Sequence, residues 1–133
     1  MNKLKQFFLS LILFIVFDFI WLGYVMKSFN MAQLAEIGRI ENGVFDMQYP
    51  AAMIAYILMA LALVFYVVPQ PSKVDKTLKV FFMGALMGLI IFGVFDMTNL
   101  AILKNYPIAF ILPDVLWGGF VFGLVTVITA KVK

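Results

Sequence analysis

The fold is decided by residues 78–103, which read LKVFFMGALMGLIIFGVFDMTNLAIL. A helix needs about 20 mostly apolar residues to cross a bilayer, and this stretch exceeds that length. Three polar side chains, Asp96, Thr98 and Asn99, lie near its C-terminal end. The stretch therefore predicts a membrane-spanning helix with a polar site built into it.

Three further segments have the same character and predict the remaining spans, at about residues 7–26, 51–68 and 108–130. Prolines lie at or near the span ends, where a missing backbone N–H does least harm: Pro50, Pro69, Pro71 and Pro107. The composition agrees, since 65% of the residues are hydrophobic and 13% charged, against about 25% charged in soluble domains. The predicted fold is all-α, an integral membrane four-helix bundle in which residues 1–133 form a single membrane domain.

The chain contains no His and no Cys. This excludes the usual zinc sites, a thiol nucleophile, a disulfide and a Ser-His-Asp triad. No motif specifies a reaction, so an enzyme is the less favoured interpretation, and we expect no cofactor. No basic patch interleaved with aromatic residues suggests nucleic acid as a partner.

Basic residues predict the orientation of the spans, because they are enriched in cytoplasmic loops. Seven lie on one predicted side: Lys3, Lys5, Lys73, Lys76, Lys79, Lys131 and Lys133. Three lie on the other: Lys27, Arg39 and Lys104. Both termini are therefore expected to be cytoplasmic.

The outer loop, residues 27–49, is the only long connection. Residues 31–40 are rich in helix formers and follow Ser28 and Asn30, either of which could cap a helix. We expect a short helix lying on the membrane surface, with a lid over a site beneath it as the alternative. A turn is expected at Glu41, Asn42 and Gly43.

Three aspartates lie at a similar depth in the outer half of the predicted bundle. At 1.5 Å rise per residue, Asp18 and Asp96 sit about 12 Å inside the outer ends of their spans, and Asp114 about 9 Å. Acidic residues in spans usually face a bundle interior or cavity and carry function. Carboxylates this close together cannot all be ionised without a counter-charge, and Lys104 could snorkel toward them.

Two of these aspartates share a face with a tryptophan three residues later, in Asp18-x-x-Trp21 and Asp114-x-x-Trp117. The two spans run in opposite directions. If they pack together, Asp18 is level with Trp117 and Asp114 with Trp21. In that arrangement, two reciprocal indole-to-carboxylate hydrogen bonds are possible.

Two pairs of glycines, Gly84 with Gly88 and Gly119 with Gly123, have the small-xxx-small spacing that lets helices approach closely. Tight packing within one four-helix chain is the favoured interpretation. A homodimer seam is the alternative.

Several motifs in chain order carry a family resemblance: Asp18-x-x-Trp21-Leu22-Gly23, Pro50-Ala51-Ala52, Asp96-x-Thr98-Asn99-x-Ala101, Tyr106-Pro107 and Asp114-x-x-Trp117-Gly118. Together they resemble the uncharacterised bacterial membrane-protein family catalogued as domain of unknown function 2177. That family usually has Tyr before the third-span Asp, where this chain has Phe95. The resemblance implies a small, multi-pass protein of the bacterial inner membrane and a loose association with lipid metabolism. It assigns no activity.

The favoured function is binding of a lipid-like amphiphile or a cation in an outward-facing pocket. The expected ligand-binding residues are Asp18, Trp21, Asp96, Thr98, Asn99, Asp114 and Trp117, with Lys104 as a counter-charge. No metal site is assigned. The alternatives are a small proton-coupled transporter and a structural or accessory membrane subunit whose aspartates fix helix register. Expected partners are membrane lipids, a lipid-like ligand and, if the glycine seam is external, a second copy of the chain.

Overall fold

The computed structural model describes residues 2–69 and 76–132, and within them it confirms an all-α bundle. The elements are α1 (Lys3–Ile20), α2 (Lys27–Gln33), β1 (Ile40–Glu41), β2 (Val44–Phe45), α3 (Tyr49–Ala62), α4 (Thr77–Ile102) and α5 (Ile108–Ala130). Two π-helical segments extend α1 and α3, over Trp21–Val25 and Leu63–Val67. Pro71, Lys73 and Lys133, used in the predictions above, lie outside the described residues.

Within residues 2–69 and 76–132, four helices are long and apolar enough to cross a membrane: Lys3–Val25, Tyr49–Val67, Thr77–Ile102 and Ile108–Ala130. Their ends follow local chemistry. The side chain of Asn2 accepts hydrogen bonds from the backbone N–H groups of Leu4 and Lys5, which caps α1. Pro50 occupies the first turn of α3, and Pro107 immediately precedes α5, both places where a missing N–H breaks no helical bond.

Helices α4 and α5 pack against each other through their glycines. A Cβ added to Gly84 would lie 2.6 Å from the Phe122 carbonyl oxygen, and one added to Gly123 would lie 2.6 Å from the ring of Phe81. At Gly84 the neighbour is backbone, so the two backbones approach there as closely as glycine allows, whereas Gly123 leaves room for the Phe81 ring. The favoured interpretation of the glycine pairs, packing within the chain, is therefore confirmed.

Helix α1 buries one narrow stripe, made of Gln6, Ser10, Phe14 and Asp18. The largest side chain in that stripe, Phe14, joins the central apolar core, which also contains Leu63, Val64, Val68, Val121, Phe122 and Val125. About half of the other large apolar side chains of α1 are exposed, as expected of a helix with one face toward lipid, and the rest are partly buried.

Polar contacts bring three parts of the chain together at one end of the bundle. The Lys3 ammonium donates to the Val64 carbonyl oxygen, 3.4 Å away. The Gln6 side-chain amide donates to the carbonyl oxygens of Thr129 and Val132, both at 3.4 Å. The start of α1, the end of the second span and the end of α5 therefore share one side.

The outer loop differs from its predicted structure. The short helix is α2, Lys27–Gln33, so it begins before the predicted residues 31–40, and Ser28 and Asn30 lie inside it instead of capping it. The expected turn is present, with positive φ at Asn42 (51°) and Gly43 (78°). Because a two-residue Asn-Gly loop with both φ values positive closes a tight hairpin, it pairs Ile40 with Phe45 in a short antiparallel ladder. That pairing takes Ile40 out of the helix.

We expect Gly88→Val to destabilise the bundle by roughly 1–3 kcal/mol or more. A Cβ at Gly88 would collide with the Gly118 carbonyl group and with Phe122. The measurement is the unfolding midpoint in detergent. Gly93→Ala is the matched control on the same helix, because nothing lies within 4 Å of its added Cβ. An equal loss of stability in both variants would contradict the close α4–α5 contact.

Candidate functional site

The Asp18 side chain joins three of the four spans. The Trp117 indole N–H donates to Asp18 Oδ1 at 2.6 Å, and the Tyr56 hydroxyl donates to Asp18 Oδ2 at 2.8 Å. Both carboxylate oxygens therefore have a donor, one from α5 and one from α3. The predicted bond between Asp18 and Trp117 is confirmed.

The second possible indole bond, from Trp21 to Asp114, is absent among the residues that the structure describes. Trp21 instead stacks on Trp117, with ring centroids 4.6 Å apart and planes at 3°. The π-helical turn that begins at Trp21 changes the direction of this side chain relative to an ideal α-helix. The stacked indoles form one apolar wall beside the carboxyl groups.

Asp96 is fully buried, and its two carboxyl oxygens differ in their hydrogen bonding. The Tyr106 hydroxyl donates to Oδ1 at 2.6 Å. Oδ2 has no hydrogen-bond donor. Asp114 lies close enough to Asp96 and to Asp18 to interact electrostatically with both. We call Asp18, Asp96 and Asp114 the carboxyl cluster; its members come from the first, third and fourth spans.

The remaining predicted site residues divide in two. Asn99 lies within hydrogen-bonding reach of the Tyr106 hydroxyl, so it belongs to the edge of the cluster. Thr98 is exposed, because it follows Asp96 by only two positions and so points away from the buried face. Lys104 is also exposed, and no described Lys or Arg forms an ion pair with the carboxyl cluster.

Two tyrosines that the sequence reasoning did not assign to the site hold the cluster. Tyr56 is about 10 Å along α3 from the N-terminal end of that helix at 1.5 Å per residue, close to the depth of the aspartates. The matching depth could have identified Tyr56 as a site residue from the sequence. It was overlooked because tyrosine is counted as an apolar residue when spans are recognised by their hydrophobicity. Tyr106 precedes α5, and burial, followed by its hydrogen bond to Asp96, raises the pKa of its hydroxyl. It therefore remains a donor.

The chemistry of the cluster is that of an acceptor site without a fixed positive charge. Ionised carboxylates only accept hydrogen bonds, and Asp96 Oδ2 still lacks a donor. The neighbouring Asp114 could donate to this oxygen only as a carboxylic acid, because an ionised carboxylate has no donor. Among the described residues, no three acidic side chains lie close enough to hold a metal ion.

An apolar cavity of about 140 Å³ lies between the second π-helical segment and α4. Its walls contain no acidic residue and consist of Tyr66, Val67, Met83, Leu86, Met87 and Ile90. This cavity is therefore separate from the carboxyl cluster.

We expect Tyr56→Phe to lower stability by about 0.6 kcal/mol, the average for a hydrogen bond between membrane helices. The change removes one donor from Asp18 and leaves the ring in place. The measurement is unfolding in mixed micelles. Tyr66→Phe is the control, since Tyr66 follows on the same span and is 71% exposed. Equal stabilities for the two variants would remove Tyr56 from the site.

The comparisons with known proteins agree with the motifs. The sequence model described as "Predicted membrane protein (DUF2177)" matches residues 3–131, nearly the whole chain. No curated protein and no solved structure matches the chain. The matched range contains all four spans and every member of the carboxyl cluster. The chain therefore belongs to this family of predicted membrane proteins.

Proposed function

We propose that the carboxyl cluster binds the positively charged or hydrogen-bond-donating head group of a lipid-like amphiphile. The observation that carries the proposal is Asp96 Oδ2, a fully buried oxygen that accepts no hydrogen bond from a described N–H or hydroxyl group and lies beside Asp114, itself only an acceptor when ionised. A buried polar atom without a partner costs about 1–3 kcal/mol. A ligand that donates a hydrogen bond or carries a positive charge would remove that cost.

The position of Asp114 supports access from the outer side of the bundle. Asp96 is fully buried, whereas Asp114, Trp21 and Trp117 are each partly exposed. Asp114 lies in the second turn of α5, and Leu112 and Leu116 on either side of it are exposed. The head group of an amphiphile could therefore reach Asp114 first, while the apolar tail of the same molecule stays against apolar side chains. Ligand pockets commonly combine a few polar groups with a mostly apolar lining in this way.

A metal cation is the less favoured occupant. Calcium takes six to eight oxygen ligands and magnesium requires a near-ideal octahedron. The described acidic residues contain no group able to hold a metal, and both oxygens of Asp18 already accept protein donors. An ammonium group or a proton needs fewer ligands.

Proton-coupled transport is the second candidate, favoured by the contact between Asp96 and Asp114. Two neighbouring carboxyl groups retain a proton between them and can exchange it, and intramembrane acids serve as proton relays in transporters. If no ligand and no flux is found, the saturated hydrogen bonding of Asp18 supports the remaining alternative, a structural or accessory subunit.

The proposed location is the bacterial inner membrane, with both termini on the cytoplasmic side. Lys3, Lys5, Lys76 and Lys131 lie at the end of the bundle where the two termini meet. Lys27, Arg39 and Lys104 lie in the connections at the opposite end of the bundle, between the first and second spans and between the third and fourth. The excess of basic residues at the first end supports this orientation.

We expect Asp96→Asn to lose an amphiphile that co-purifies with the wild-type chain. An amide cannot carry the charge that attracts a cationic head group. The measurement is mass spectrometry of lipids and small molecules bound to detergent-purified protein, with helical content verified by circular dichroism. A species enriched at least about tenfold on wild type corresponds to 1.4 kcal/mol of preferential binding.

Asp46→Asn is the matched control, because it makes the same chemical change on an exposed loop residue. Thr98→Val is the second control, since Thr98 is exposed and outside the cluster. Both should retain the amphiphile. Identical bulk lipid on wild type, Asp96→Asn and Asp46→Asn would contradict ligand binding by the cluster.

We expect a green fluorescent protein fused after Lys133 to fluoresce when the chain is expressed in a bacterium. That reporter matures in the cytoplasm, where the basic-residue bias places the C-terminus. The measurement is whole-cell fluorescence against expression level. A dark fusion at normal expression, with activity of an alkaline phosphatase fused at the same position, would reverse the orientation.

A further inference from the structure

The buried stripe of α1 is unusual because three of its four members are polar. Gln6, Ser10, Phe14 and Asp18 follow one another at one-turn intervals, so the stripe runs along most of the span. Gln6, Ser10 and Phe14 are fully buried. Polar side chains inside a membrane protein are costly and usually mark a path or a site.

Helix α5 presents matching residues at the inner end of this stripe. Thr126 and Thr129 are fully buried, and Gln6 donates to the Thr129 carbonyl oxygen. We call Gln6, Ser10, Thr126 and Thr129 the inner polar cluster. It lies toward the end of the bundle where the two termini meet, opposite the carboxyl cluster.

The hydroxyls of the inner polar cluster can accept further donors. Ser10 donates to the Phe7 carbonyl oxygen at 3.0 Å, and Thr126 donates to the Phe122 carbonyl oxygen at 2.6 Å. Bonds of this kind leave the hydroxyl lone pairs free. The Thr129 hydroxyl is buried without any partner. Water is the simplest group that would satisfy these atoms.

One aromatic contact separates the two clusters. Phe14 and Phe122 are both fully buried, and their ring centroids lie 4.7 Å apart. At 1.5 Å per residue, Phe14 is about 6 Å from both Ser10 and Asp18 along the helix axis. Leu63 and Val64 of the second π-helical segment belong to the same core, so an irregular helix segment borders this contact.

We propose that Phe14 and Phe122 form a hydrophobic gate on a proton path that runs from the carboxyl cluster to the inner polar cluster. The path is closed in this structure, because two packed rings leave no polar group between Asp18 and Ser10. Hydrophobic constrictions close pores by excluding water. Separation of the rings would let a short chain of water connect the two clusters and carry protons down their gradient.

This inference rests on the part of the proposed function in which the carboxyl cluster exchanges a proton with the outer side. It adds the route through the rest of the membrane and assigns a role to the inner polar cluster. It does not require that an amphiphile binds.

The test is proton flux into liposomes that contain the purified chain and a trapped pH-sensitive dye, with valinomycin and potassium to balance charge. We expect Phe14→Ala and Phe122→Ala to admit protons at least about tenfold faster than wild type. Phe8→Ala is the matched control, since Phe8 is on the same helix but 51% exposed. Flux through Phe14→Ala no faster than through Phe8→Ala would overturn the gate.

Phe14→Leu covers the case in which the alanine variants do not fold, because it keeps most of the apolar volume and removes the ring contact. We expect an intermediate flux from it, and wild-type flux from a folded Phe14→Leu variant would also overturn the gate.

Asp96→Asn in the Phe14→Ala background separates this proposal from the previous one. Lower flux in the double variant supports a path through the carboxyl cluster. If flux stays fast while Asp96→Asn also retains every bound lipid, the carboxyl cluster loses both proposed roles, and the proton path from it is overturned together with ligand binding. If Asp96→Asn loses its amphiphile and the proton flux through Phe14→Ala is no faster than through Phe8→Ala, ligand binding by the carboxyl cluster is supported and the gate is overturned.

Discussion

The carboxylate of Asp18 is the interaction on which the arrangement of the spans depends. A charged or polar group inside a bilayer must find its partners within the protein, since no water competes for it there. Asp18 finds one partner on α3 and another on α5. Each bond restricts both the rotation of a helix about its axis and its position along the membrane normal. The three spans are thereby held in a single register, which apolar contacts alone would specify only weakly.

The glycines of α4 and α5 supply the second constraint, and its effect is on the site. Without side chains at Gly84 and Gly88, the two backbones come into direct contact. This close approach brings Asp96 on α4 beside Asp114 on α5. Larger residues at those positions would separate the helices and allow water or lipid between the two acids. The unfavourable closeness of the two carboxyl groups is therefore a consequence of helix packing.

Both π-helical segments lie next to features that carry the proposed chemistry. The first begins at Trp21, which stacks on Trp117 beside the carboxyl cluster. The second contains Leu63 and Val64, which pack in the same core as Phe14 and Phe122. A π-helical turn breaks the regular hydrogen-bond ladder and is frequently found at functional sites. Here the two turns change side-chain directions at the outer site and at the contact between the two clusters.

The sequence by itself determined the class of protein, the number of spans and the level of the three aspartates. These follow from apolar run lengths and from 1.5 Å per residue, both of which are local properties of the chain. It also allowed the Asp18–Trp117 bond, on the condition that the first and fourth spans pack together, because the Asp-x-x-Trp spacing then brings the two side chains to one level. Only the tertiary structure decided that Trp21 stacks instead of bonding to Asp114, that Tyr56 and Tyr106 hold the acids, and that Thr98 lies outside the site. The physical reason is that these outcomes depend on helix rotation and on which helices are neighbours, and those are settled by contacts between residues far apart in the chain.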